Sequence, residues 1–260
     1  MNNNMKLISL TPLIMILTLL WQKSSNKYVN NRSNCVRIDS IIYNGDKEQI
    51  QRFSYNSSEQ LISIIMGTDT TRFVYLDKAL IRINRGRQHD WDACQYFALD
   101  AKGRISRGMT KDKAGDMQVE SGFEYDDEGR LAYVFYADYA NQTMQQFNYR
   151  YPSRDRCQIL LSDDVNQISS VYYIVFDTLS ENCLNLNINN IGYDFFPEEY
   201  LGLREKFPVH SITQISPSGD TLAHLTYSEL SKINEGLWRQ NQTDVLNDFV
   251  TAIDYFTFFL

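Results

Sequence analysis

Glycine is scarce in this 260-residue chain, at 12 residues, and proline scarcer still, at 5. That share argues against collagen-like and Gly/Pro-rich low-complexity architectures. Cysteine occurs four times, at Cys35, Cys94, Cys157 and Cys183, with no Cys-x-x-Cys spacing, so neither a zinc ribbon nor a thioredoxin-type motif is indicated. In an exported chain these four could form one or two disulfides, with three connectivities if all pair, or they could stand as small buried hydrophobes. Basic residues are outnumbered, 25 Lys and Arg against 32 Asp and Glu, for a net charge of −7 and a pI near 5.0. No basic stripe is present to neutralise phosphates, and no nucleic-acid partner is expected.

Catalytic signatures are missing as well. There is no Gly-x-Ser-x-Gly, no phosphate-cradling glycine loop and no His-Glu-x-x-His. The acidic pairs Asp126-Asp127, Asp163-Asp164 and Glu198-Glu199 are sequence neighbours, whereas glycoside hydrolysis needs two carboxyls about 5–9.5 Å apart across a cleft. They read as solvated turn acids. The expectation is a protein that is not an enzyme and has no cofactor, with an uncharacterised hydrolase as the remotest alternative.

One long apolar run exists, Leu7 to Trp21 behind Lys6, broken by Ser9, Thr11, Pro12 and Thr18. Fifteen residues fall short of the roughly 20 needed to cross a bilayer as a helix, so 1–21 reads as a signal peptide or lipoprotein-like leader. No Ala-x-Ala cleavage site appears near Trp21, and the cysteine that a lipoprotein would carry there is absent. Residues 22–34 form a polar linker, and 35–260 a single β domain.

What is abundant is aromatic side chains, 17 Tyr and 14 Phe, and they recur in order. Phe53-x-Tyr55, Phe73-x-Tyr75, Phe97-x-Leu99, Phe123-x-Tyr125 and Phe147-x-Tyr149 each precede a polar turn and a second apolar strand. The clearest copy is Phe123 to Phe135: Asp126 opens a type I turn, Gly129 takes the positive φ that closes it, and Asp126 faces Arg130. Strand alternation then predicts Phe123, Tyr125, Leu131, Tyr133 and Phe135 on one face. One such hairpin is marginal by itself, so its neighbours must cover that face.

Residues 189–207 break the rhythm, and the stretch near 193–207 is expected to be a short helical or irregular plug over the sheet. A last hairpin turns at Ser216-Pro217-Ser218-Gly219, and Ser228 onward is expected to begin a helix despite an incomplete capping box. The aromatic-x-Tyr-Asp-x-x-Gly-Arg-Leu units, Lys206-Phe207-Pro208 and the Ser-x-Ser-Gly hairpin together resemble an exported Gram-negative bacterial family of unknown function described as porin-like in fold. The Tyr-Asp units also resemble, more weakly, the tyrosine-aspartate repeats of Rhs-type proteins. The first resemblance covers about Cys35 to Leu260 and implies an all-β chain of repeated antiparallel hairpins, forming a curved sheet or half-open barrel. It implies no catalytic residue.

The leading functional expectation is an exported envelope protein, periplasmic or at the outer membrane or cell surface, that binds or scaffolds a glycan or an envelope partner. Membrane association through the leader stays open. The alternative is an integral outer-membrane β-barrel. Candidate ligand contacts are the aromatic residues outside the repeat: Trp91, Tyr193, Phe195, Phe196, Tyr200 and Trp238. If His224 lies opposite Ile212, His210 and His224 share one face and could hold a metal, although no third ligand is evident; two ordinary strand histidines is the simpler reading.

Overall fold

The computed structural model describes residues 38–45, 50–57, 60–85, 93–112, 114–163, 167–179 and 207–257. Seventeen antiparallel strands follow one another: β1 (Ile38–Tyr43), β2 (Gln51–Tyr55), β3 (Leu61–Met66), β4 (Asp69–Leu76), β5 (Ala79–Arg85), β6 (Ala93–Leu99), β7 (Ile105–Lys111), β8 (Met117–Tyr125), β9 (Leu131–Asp138), β10 (Thr143–Ser153), β11 (Arg156–Asp163), β12 (Gln167–Phe176), β13 (Val209–Ile215), β14 (Thr221–Tyr227), β15 (Ser231–Asn234), β16 (Leu237–Asp244) and β17 (Phe249–Thr257). Each pairs with the next, except that β14 and the short β15 both lie along β16, as one interrupted stave. β17 pairs back onto β1 from Ile38↔Thr257 to Tyr43↔Ile253. The sheet is therefore a closed barrel of sixteen staves, not a half-open one. Among the described residues, closure leaves only the short β15, which pairs with β16 alone, with an unpaired edge that could template association with another chain.

The turn prediction is met in detail. In the 126–130 turn, Asp126 N–H donates to Arg130 O at 2.8 Å, Gly129 N–H donates to Asp126 O at 2.9 Å, and Gly129 has φ 84°. Turns of the same build occur at 100–104, 112–116 and 216–220. The pairing beyond the turn differs from simple alternation. Tyr125 faces Leu131, but Glu124 then faces Tyr133 and Phe123 faces Val134, leaving Ala132 as an extra residue. A one-residue bulge reverses the facing of everything after it. Phe123 thus shares the buried face with Leu131 and Val134, while Tyr133 and Phe135 lie on the outer face. The same shift follows the turns at 56–60, 100–104, 112–116 and 216–220.

The expected helix after Ser228 is also replaced by strand. Residues Ser231–Asn234 and Leu237–Asp244 form β15 and β16 around Glu235-Gly236, with Gly236 at φ 84°. Its alternating Trp238, Gln240 and Gln242 suit a strand facing β17, and no complete cap competes.

The buried face lines the barrel and is mostly apolar. The most deeply buried side chains include Leu61, Leu80, Ile105, Leu131, Ile159 and Ile174, with Phe53, Phe73, Phe97, Phe123 and Phe147 in the same cluster. Leu61, Leu80, Ile105 and Leu131 begin, or nearly begin, their strands, so they form a layer near the end carrying the repeat turns at 77–78, 100–104 and 126–130. Toward the opposite, far end the lining becomes polar, with buried Gln51, Thr110, Ser121, Ser170 and Gln214. At roughly 1.5–3 kcal/mol for each large apolar side chain buried, the lining is the main term holding the ring together.

Candidate functional site

The best-organised side-chain array is a ladder at the repeat end. Asp100 Oδ1 accepts hydrogen bonds from Lys102 N–H at 2.8 Å and Arg104 N–H at 2.9 Å, and Oδ2 accepts from Arg104 Nε at 2.8 Å. Arg104 held in this way lies 4.0 Å from the centre of the Tyr125 ring. One hairpin on, Asp126 holds Arg130, which lies 4.2 Å from the centre of the Tyr151 ring. The tyrosine hydroxyls reach back in turn: Tyr75 donates to Leu61 O at 2.6 Å, Tyr125 to Ile105 O at 2.8 Å and Tyr151 to Leu131 O at 3.1 Å. Tyr55 does the same to Ile38 O at 2.9 Å.

The Tyr125 and Tyr151 rungs thus tie one hairpin to the preceding one by a stacked cation and a hydrogen bond, and the Tyr55 and Tyr75 rungs by the hydrogen bond. Where Leu99 replaces the tyrosine, no hydroxyl is available. Beyond Tyr151 the ladder passes to Arg154, which lies 4.9 Å from the centre of the Phe207 ring. Burial acts against the charged form of Asp100, but the hydrogen bonds from Arg104 and Lys102 and the Arg104 charge outweigh it, holding the carboxyl below its usual range. A paired, acceptor-saturated carboxylate of this kind is a structural clamp, with nothing left over to accept a proton from a substrate.

Of the aromatic residues expected to contact a ligand, Trp91, Tyr193, Phe195, Phe196 and Tyr200 lie outside the described residues. Trp238 is on β16, half-buried against the apolar lining, with Lys232 Nζ 5.9 Å from its ring centre. The histidine pair is not assembled as expected. The bulge at Leu222 puts His224 opposite Thr213 instead of Ile212, and His224 Nδ1 is hydrogen-bonded to Thr213 Oγ1 at 2.8 Å. Among the described residues, no three His, Cys, Asp or Glu side chains gather into a metal site. Cys94 and Cys157 are free thiols, the first exposed and the second buried.

The outer face is mixed. Val74, Leu76 and Tyr96 are exposed on β4 and β6, and Val74 and Tyr96 both face Ile81 of β5 from either side. Elsewhere the same face carries ion pairs, with Arg107 on Glu120 and Arg239 on Asp254 at 2.6 Å. Inside, the carbonyl oxygens Gln51 Oε1, Gln95 Oε1 and Gln214 Oε1 and the Tyr227 hydroxyl are buried without a hydrogen-bond partner. No helix among the described residues is long and apolar enough to cross a membrane, which leaves membrane crossing by strands untouched.

No family model matches the chain, and no curated protein matches its sequence. Among solved structures it is similar to a porin-like protein from Bacteroides uniformis, at TM-score 0.60 and 14% identity, covering 85% of this chain and 98% of the other. The likeness is one of fold. It makes the sequence-based expectation of a porin-like, all-β architecture a finding.

The ladder was half visible in the sequence. The Asp-x-x-Gly-Arg spacing announced the turn, but not that its arginine would stack on the tyrosine of the next hairpin. The signal was available in the interval from Arg104 to Tyr125 and from Arg130 to Tyr151, which is the same in both copies.

Proposed function

We propose that the protein is a non-enzymatic β-barrel of the Gram-negative cell envelope, attached to the outer membrane, whose barrel is a packed body and not a diffusion channel. The observation that carries the reading is the combination of a closed sixteen-stave ring with a lining of aliphatic and aromatic side chains, buried down to the level of Leu61, Leu80, Ile105 and Leu131. A water-filled channel needs a polar lumen along its whole length, and these residues interrupt it. The leader-like residues 1–21 and the likeness to a porin-like protein support the envelope location.

A second reading, full insertion in the outer membrane, is favoured by the outward apolar arc of Val74, Leu76, Ile81 and Tyr96. It would require Arg239 with Asp254 and Arg107 with Glu120 to sit at the interfaces, since an arginine at the bilayer midplane costs about 2–4 kcal/mol.

Fractionation of a Gram-negative host expressing the full chain tests the proposal. The expected result is recovery with the outer membrane, release by alkaline carbonate or urea, and no conductance in a planar bilayer. Resistance to both extractants would establish the inserted form. Stable single-channel conductance would overturn the packed barrel, and recovery in the cytoplasm would overturn the envelope location.

A further inference from the structure

The turn between β16 and β17 exposes an apolar cluster at its tip. Val245 is 47% exposed, Leu246 49%, Phe249 56% and Val250 53%, and Leu222 at the start of the adjacent β14 is 43% exposed. The tip is held in shape from within. Asp244 Oδ1 accepts from Leu246 N–H at 3.1 Å and Asn247 N–H at 3.2 Å, Oδ2 accepts from Asn247 Nδ2 at 2.7 Å, and Val245 N–H donates to His224 O at 2.8 Å. Its backbone donors are therefore largely satisfied before anything touches it, which is what an element entering an apolar medium needs.

We infer that this hairpin tip inserts into the headgroup and acyl boundary of a lipid bilayer, bringing the far end of the barrel onto the membrane. Three observations select lipid over a protein. The cluster offers on the order of 500 Å² of surface, well under the roughly 800 Å² per partner that a stable protein interface or dimer buries. It is a narrow turn, whereas hydrocarbon chains adapt to a convex apolar tip. Around the same end of the barrel, at strand termini far from the tip, Met66, Tyr139 and Ile168 are also exposed, between 42% and 51%. A layer extending across the whole end can meet all of them, and a compact partner on the tip cannot.

Charge selects the kind of lipid. No Lys or Arg follows Arg239, while Asp220, Asp244 and Asp248 lie in or beside the tip. Contact is thus apolar in origin, directed at zwitterionic lipid and insensitive to salt, since acids near the tip repel an anionic surface.

The inference deepens the envelope reading and rests on it for the identity of the membrane. Its test uses the full chain with Phe249→Trp against the unsubstituted chain, mixed with phosphatidylcholine vesicles bearing brominated acyl chains. The difference emission isolates residue 249 from the three native tryptophans and from any binding by the leader. A blue shift with at least twofold quenching, unchanged from low to high salt and absent when Leu246→Asp and Val250→Asp are added, is the expected result. Emission that remains that of a water-exposed indole overturns the inference, as does a blue shift that appears without vesicles and tracks formation of a dimer. Failure here with correct outer-membrane fractionation removes the tip contact alone, whereas cytoplasmic fractionation removes the envelope reading whatever the vesicles show.

Discussion

The guanidinium of Arg130 sits 4.2 Å from the centre of the Tyr151 ring, although the two residues belong to different hairpins. Arg130 is pinned by Asp126 within its own turn, and Tyr151 by its hydroxyl bond to Leu131 O on β9. The stacking contact and the hydroxyl bond therefore form one two-point joint onto an arginine already fixed in its turn, and each point limits the side-chain entropy left to lose at the other.

Removing one member of the joint should destabilise the barrel by a predictable amount. Tyr151→Phe keeps the stacked ring but loses the bond to Leu131 O, for an expected cost of about 0.5–1.5 kcal/mol. Tyr151→Leu loses the ring contact too, for roughly a further 0.5–1 kcal/mol. Urea midpoints should fall in the order wild type, Tyr151→Phe, Tyr151→Leu. An equal midpoint for all three would mean that the ladder is decoration.

Two glycines should respond differently to alanine. A Cβ at Gly108 would meet Ser121 Oγ and the Phe97 ring inside the barrel, where Phe97 is buried and cannot yield. A Cβ at Gly122 would meet the Phe135 ring on the outer face, where the ring can swing toward solvent. Gly108→Ala is expected to cost about 1–3 kcal/mol and Gly122→Ala clearly less, by thermal or urea unfolding. The reverse order would contradict the assignment of inner and outer faces.

The Asp100 clamp predicts an acid limb to the stability curve. Its folded-state pKa is depressed below the usual 3.8, so its contribution is present above that value and is lost as pH falls from about 4 through the lower folded value. Asp100→Asn should be less stable than wild type at pH 7, with the gap narrowing below pH 4. Urea midpoints at pH 7, 4 and 3 measure it, and a gap that does not narrow would rule out the carboxylate as its source.

Gln51 should be dispensable and even costly. The residue is 3% exposed, its carbonyl oxygen has no partner, and its amide nitrogen reaches only Met66 Sδ at 3.4 Å. Gln51→Met preserves length and removes an unsatisfied acceptor worth about 1–3 kcal/mol of desolvation. Its melting temperature is expected to equal or exceed that of wild type. A clear drop would overturn the reading that its carbonyl is unsatisfied in the folded barrel.

The hairpin unit was legible because turn chemistry and apolar pattern agree within a dozen residues, as at Asp126, Gly129 and Arg130. The bulges were not legible. Ala132, Ser106 and Leu222 are ordinary strand residues, and nothing local marks them as the extra member of a pair; the choice is made by whether Tyr133 or Val134 packs better against the lining. That one-residue ambiguity accounts for the misplaced Tyr133, Phe135 and His224. Closure was equally hidden, since pairing β1 with β17 depends on curvature accumulated over the whole ring and not on either strand's residues. After Ser228 the incomplete cap is a weaker signal than the alternation of Trp238, Gln240 and Gln242, which marks the strand.

The β1–β17 seam differs from the other joints of the ring in the distance along the chain that it spans. Apart from β12 with β13, whose connection runs over 177–208, every other pairing joins segments close in sequence, so each can form soon after its second strand exists and needs only a short loop to close. The seam brings Tyr43 to Ile253, and by the logarithmic scaling of closure entropy it is the most expensive loop to shut, though by only a few kcal/mol. Until it forms, β1 and β17 are bare flanks of a long curved ribbon, open to pairing with another copy. The chain should therefore be vulnerable to pairing with another copy during a brief interval at the end of folding, when fifteen joints are made and the sixteenth is not.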